Sequence, residues 1–144
     1  MKKLDLKNSI AHVALVVDDY DEAIDFYVNT MDFKLLEDTQ LSPEKRWVIV
    51  APTGAKECSL LLAKAANDKQ RSSVGNQTGG RVGFFLFTDN FQREYDKLQQ
   101  RNVEFVRPKE EFDYGTVAVF KDLYGNLWDL IQPNENNSGV LMAD

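Results

Sequence analysis

The sequence predicts an α+β fold of two tandem βαβββ modules. Two observations carry that prediction: one pattern occurs twice, and each copy is followed by the same run of strands. The first copy is His12-Val-Ala-Leu-Val-Val-Asp-Asp19, leading into Tyr20, Ile24 and Tyr27. The second, about 71 residues later, is Gly83-Phe-Phe-Leu-Phe-Thr-Asp-Asn90, leading into Phe91, Tyr95 and Leu98. Each reads as an apolar strand ending on an acidic or amide cap, then a helix with apolar positions at i, i+4 and i+7. Paired units of this kind are expected to form a curved eight-stranded sheet with helices on its outer face, leaving a concave cleft for a ligand.

In the first module, residues 9–64, a mostly buried strand spans 9–17. Asp18, Asp19, Asp21 and Glu22 then complement the positive end of a helix dipole. That helix is expected to run to about Thr30, with strands at 33–40, 46–51 and 57–64 behind it; Pro52-Thr-Gly54 punctuates the last two. Residues 65–79 hold almost no large apolar side chain and read as an exposed connector bordering a site. In the second module, residues 80–133, a strand at 80–88 precedes a helix from Asn90 to about Arg101. A strand at 103–107 is expected to stop at Pro108. Glu110, Glu111, Tyr114 and Gly115 then read as a charged turn, before strands at 115–121 and 127–132 joined through Asp122-Leu-Tyr-Gly125-Asn126. The tail, 134–144, is expected to lack a fixed fold, with Val140, Leu141 and Met142 able to dock on a neighbour.

At 144 residues and 43% hydrophobic, the chain has the length of one domain with a real core. Its net charge of −6 argues against nucleic acid, whose phosphates call for clustered Lys and Arg. No run approaches the roughly 18 apolar residues of a membrane span, and Met1-Lys-Lys-Leu-Asp-Leu-Lys-Asn8 lacks the apolar region of a secretory signal. A single cysteine suits a reducing cytoplasm.

Strand alternation assigns faces. With Val13, Leu15 and Val17 under the first helix, Ile10, His12, Ala14 and Val16 line the concave side. By the same offset Val82, Phe84 and Leu86 pack inward, while Arg81, Gly83, Phe85 and Phe87 line the cleft. Cys58 is expected to face the helices with Leu60 and Leu62, where a thiol is inert.

A strand-opening His12, an Asp pair before Phe26-Tyr27, and Asp122-Leu-Tyr-Gly-Asn-Leu-Trp-Asp-Leu130 together resemble the vicinal oxygen chelate superfamily, which includes glyoxalase I, bleomycin resistance proteins and extradiol dioxygenases. The resemblance covers residues 9–133 and implies paired modules, often in a homodimer. It also implies a divalent metal held by the first and last strand of each module, at His12, Ser59 or a neighbour, Gly83 and Asp129. Glycine offers no ligand and serine is a poor one for a transition metal. Glu57 shares strand parity with Ser59, so His12, Glu57 and Asp129 make an alternative set suited to iron, manganese, nickel or zinc.

Arg81 can hold a carboxylate or phosphate, Gly83 leaves room for close approach, and Phe85, Phe87 and Trp47 can form an aromatic wall. Asp129, flanked by Trp128 and Leu130, needs a partner if buried: His12, Arg81, Tyr114 or a ligand's cation. The leading expectation is therefore a cytoplasmic homodimer that binds a small organic molecule through His12, Arg81, Gly83, Phe85, Phe87 and Asp129, with no cofactor. The alternative is a metal-dependent lyase, isomerase or dioxygenase using His12, Glu57 and Asp129.

Overall fold

The computed structural model describes residues 7–55 and 58–136. The strands are β1 (His12–Val17), β2 (Lys34–Gln40), β3 (Arg46–Ala51), β4 (Ser59–Lys64), β5 (Val82–Phe87), β6 (Phe105–Phe112), β7 (Gly115–Lys121) and β8 (Leu127–Pro133). The helices are α1 (Tyr20–Asp25), continued by a π-helical turn at Phe26–Thr30, α2 (Asp68–Arg71) and α3 (Phe91–Gln100). The eight strands form two four-stranded sheets, ordered β1-β4-β3-β2 and β5-β8-β7-β6. The chain divides into two compact units, the first from Met1–Leu15 and Asp19–Lys64, the second from Val16–Asp18 and Ala65–Asp144.

In the first unit, Asp19 caps α1: its side chain accepts a hydrogen bond from the Glu22 backbone N–H at 2.9 Å. The π-helical turn closes where the Met31 N–H reaches the Phe26 carbonyl at 3.1 Å, and the Phe33 N–H then reaches the Tyr27 carbonyl at 2.8 Å. Tyr27 is thereby fully buried, with Phe33 tilted against it at 5.7 Å. Leu15, Val48, Val50 and Leu62 complete this core. Arg46, at the start of β3, grips Asp38 through Nε and a terminal nitrogen and Asp21 through the other nitrogen, and lies over the Tyr20 ring. That grip ties helix, central strand and edge strand together.

The second core is a row of rings. Phe84 stacks on Trp128 at 4.5 Å, Trp128 on Phe120 at 5.9 Å, and Phe120 meets Phe105 at 5.6 Å. Tyr95 and Phe91 of α3 close the row from above. Such pairs each add about 0.5–1.5 kcal/mol beyond the area they bury. Asn90 caps α3 through the Arg93 N–H, and Gln132 of β8 accepts from the Phe91 N–H at 2.7 Å.

The Asp122–Asn126 turn between β7 and β8 is built around one carboxylate. Asp122 Oδ1 accepts from the Tyr124, Gly125 and Asn126 backbone N–H groups, and Oδ2 from Asn126 Nδ2 and the Trp128 indole. The side chain is buried and fully partnered, so this part of the family-like motif is structural. The connector docks on it: Gln77 N–H donates to Asn126, Gln77 Oε1 accepts from the Val16 N–H, and a Cβ at Gly75 would overlap the Tyr124 carbonyl. The connector is mostly exposed, as expected, but carries the short helix α2.

Three expectations are corrected here. β6 does not stop at Pro108 but continues to Phe112, so Glu110 and Glu111 lie in a strand rather than a turn. β6 is an edge strand, and its register shifts between Arg107 and Glu110, so the missing proline N–H breaks no ladder. Cys58 is exposed rather than facing the helices; it precedes β4 with φ of 38°, which interrupts the strand alternation. The tail is held as far as Asn136: the Asn134 and Asn136 amides both donate to the Asp113 carbonyl. Val140, Leu141 and Met142 lie outside the described residues.

Candidate functional site

In the first unit, β1 and β4 place His12 beside Ser59. His12 Nδ1 is 2.7 Å from Ser59 Oγ, which is also 3.3 Å from the Ala11 carbonyl. One imidazole nitrogen is thus occupied by a hydroxyl, and Trp47 of β3 meets the ring edge-on at 6.0 Å. His12 is exposed. Next to this pair lies an open cavity of about 380 Å³, lined chiefly by Ile10, Leu36, Ala51, Cys58 and Ser59. Glu57 lies outside the described residues.

In the second unit, strand pairing builds the face opposite α3. Phe85 of β5 pairs with Asp129 of β8, Asp129 with Val119 of β7, and Val119 with Arg107 of β6. Residues directly opposite one another share a face, so Phe85, Asp129, Val119 and Arg107 form one row. The neighbouring row is Phe87, Ile131, Val117 and Glu110. Phe85 is 60% exposed, an unusual position for a large aromatic in a strand, whereas Val119 is 3% exposed. Partial burial pushes the Asp129 carboxyl above its usual range, and the Arg107 guanidinium opposes that rise.

The charged group that the structure sets along the row from Asp129 is Arg107, which is not among the protein partners expected from the sequence. Simple alternation puts Arg107 on the side of Phe105, facing α3. The register shift between Phe105 and Arg107 moves it to the other face. The proline after it was the one sequence sign of an irregular edge strand.

Arg81 precedes β5 and is exposed, its carbonyl accepting from Thr78 Oγ1 at 2.6 Å. Gly83 is not open space for a ligand. A Cβ built there falls 2.6 Å from Thr78 Cγ2, so the connector already fills that place.

The four positions at which the resemblance puts metal donors do not fit a metal. Ser59 is engaged with His12, and Gly83 has no donor and no room for one. Among the described residues, no three His, Cys, Asp or Glu side chains are grouped to hold an ion. No helix among them is long and apolar enough to cross a membrane.

Two sheets of this strand order, each with its helix, define the class of paired βαβββ proteins. The pattern of the Glyoxalase/Bleomycin resistance protein/Dioxygenase superfamily matches residues 9–130, and the chain belongs to that superfamily. It is 60% identical over 131 residues to an uncharacterized protein of Shewanella frigidimarina (strain NCIMB 400), spanning 90% of this chain and 97% of that one. Among solved structures it is similar to UcmS2, with 28% identity, a TM-score of 0.76 and coverage of 88% of this chain and 98% of that one. It is also similar to TnmS3, an antibiotic binding protein from Streptomyces sp. CB03234, with 31% identity, a TM-score of 0.72 and coverage of 92% and 100%.

Proposed function

We propose that this chain binds a small organic molecule on the open face of its second sheet and does so without a tightly held catalytic metal. The observation that carries this reading is the pairing of an exposed Phe85 on β5 with a half-buried Asp129 on β8. Apolar surface with few polar anchors is the usual make-up of a small-molecule site. The similarity to an antibiotic binding protein supports it. Arg81 and Phe87 flank the face as supporting positions, Gly83 is occupied by the connector's Thr78, and His12 belongs to a separate surface in the first unit. The same reading takes the protein as a cytoplasmic homodimer, which sedimentation equilibrium tests.

Fluorescence titration with 1-anilinonaphthalene-8-sulfonate is the direct test. Saturable binding is expected, weakened about five- to tenfold in Phe85→Ala, the worth of one aromatic contact of ~1 kcal/mol. Binding that is absent, or indifferent to Phe85, overturns the site. Elemental analysis of untagged protein is expected to give metal well below one equivalent per chain. A full equivalent, lost in both His12→Ala and Asp129→Ala, would establish the metal-dependent alternative instead.

A further inference from the structure

We propose that the open face of the second sheet selects amphoteric aromatic molecules: a ring against Phe85, a cationic donor at Asp129 and an anionic group at Arg107, in that order across the strands. This rests on the reading that this face holds the ligand.

The order follows from register. Phe85, Asp129, Val119 and Arg107 occupy four consecutive strands, β5, β8, β7 and β6. Neighbouring strands lie ~4.8 Å apart, so Phe85 and Asp129 are one spacing apart and Asp129 and Arg107 two, roughly 9.5 Å. Neither the Asp129 carboxylate nor the Arg107 guanidinium makes a hydrogen bond or ion pair of 4 Å or less with another described residue. Two opposite charges therefore share one face with an apolar residue between them and their hydrogen-bonding capacity unspent. A carboxylate that has lost part of its water gains most from a cationic or strongly donating group. The arginine fork, exposed on a flexible stem, can swing over Val119 and take a carboxylate in two parallel bonds.

In an aromatic α-amino acid the ring stands about one strand spacing from the ammonium, and the carboxylate shares the ammonium's carbon, where the Arg107 fork reaches it by swinging over Val119. Turning such a molecule around would set like charges against each other. Glu110, in the row beside Arg107, adds to the selection by repelling a second anionic group.

Calorimetry with three indole probes separates the contributions: L-tryptophan carries both charges, tryptamine only the ammonium and indole-3-propionate only the carboxylate. L-Tryptophan is expected to bind about tenfold tighter than either. Asp129→Asn should abolish its advantage over indole-3-propionate, and Arg107→Gln its advantage over tryptamine. A flat ranking of the three probes on the unmodified protein overturns the proposal with no variant needed, as does a ranking that survives both substitutions. If the ranking is flat while Phe85→Ala still weakens anilinonaphthalene sulfonate, only this inference fails. Loss of both signals removes the binding face as well.

Discussion

Replacing Gly83 with alanine sets a methyl carbon 2.6 Å from Thr78 Cγ2, whereas carbons attract at ~3.5–4.0 Å. Thr78 cannot easily withdraw, because its Oγ1 is bonded to the Arg81 carbonyl at 2.6 Å. Forcing an extra carbon into such a contact typically costs 1–3 kcal/mol, so Gly83→Ala is expected to lower stability by ~2 kcal/mol. Thr78→Ser deletes the obstructing carbon and retains the hydroxyl; alone it should cost less than ~1 kcal/mol. In the double variant the nearest Thr78 atoms left are Oγ1 at 3.5 Å and Cβ at 3.6 Å, both ordinary contacts. Most of the loss should therefore return, giving a coupling energy of ~1–2 kcal/mol. Urea unfolding followed by tryptophan fluorescence measures all four proteins. A Gly83→Ala variant within ~0.5 kcal/mol of the unmodified protein, or no rescue by Thr78→Ser, would refute the reasoning. The same obstruction means that a histidine placed at position 83 should not recruit metal unless Thr78 is reduced as well.

Asp122→Ala leaves three backbone N–H groups, the Asn126 amide and the Trp128 indole without their acceptor, and should cost ~3–5 kcal/mol in urea unfolding. A loss under ~1 kcal/mol would show that the turn does not depend on this carboxylate. Asp38 is held below the usual carboxylate range by its hydrogen bonds from Arg46. A lowered folded pKa gives stability that is present above the unfolded value of ~3.9 and lost as pH falls through the folded value. Asp38→Asn should therefore cost ~1 kcal/mol near neutral pH and nothing once both states are protonated. A difference independent of pH would contradict the ion pair.

Much of this fold is legible in the sequence because it rests on local signals. The caps at Asp19 and Asn90, the period of Tyr20, Ile24 and Tyr27, and the two-residue alternation of β1, β5 and β8 all depend on neighbours within a few positions. Alternation puts Leu15 and Val17 in the core and Phe85 on the open face, as found. It fails at Val13, expected under the first helix but 42% exposed, and at Cys58 and in β6, where a positive φ and two register shifts change the count. Strand parity carries no record of a bulge, and so Arg107 escaped notice.

The sequence by itself determined the duplicated α+β architecture, because periodicity and capping act over one helical turn or one strand. It also placed Asp129 in an apolar strand, where a carboxylate calls for a counter-charge. Only the tertiary structure decided what meets these residues, since such neighbours are set by strand register and by the docking of the connector, neither of which periodicity records. It set Arg107 on the face of Asp129, Ser59 against His12, and the methyl of Thr78 in the place that a side chain at Gly83 would take.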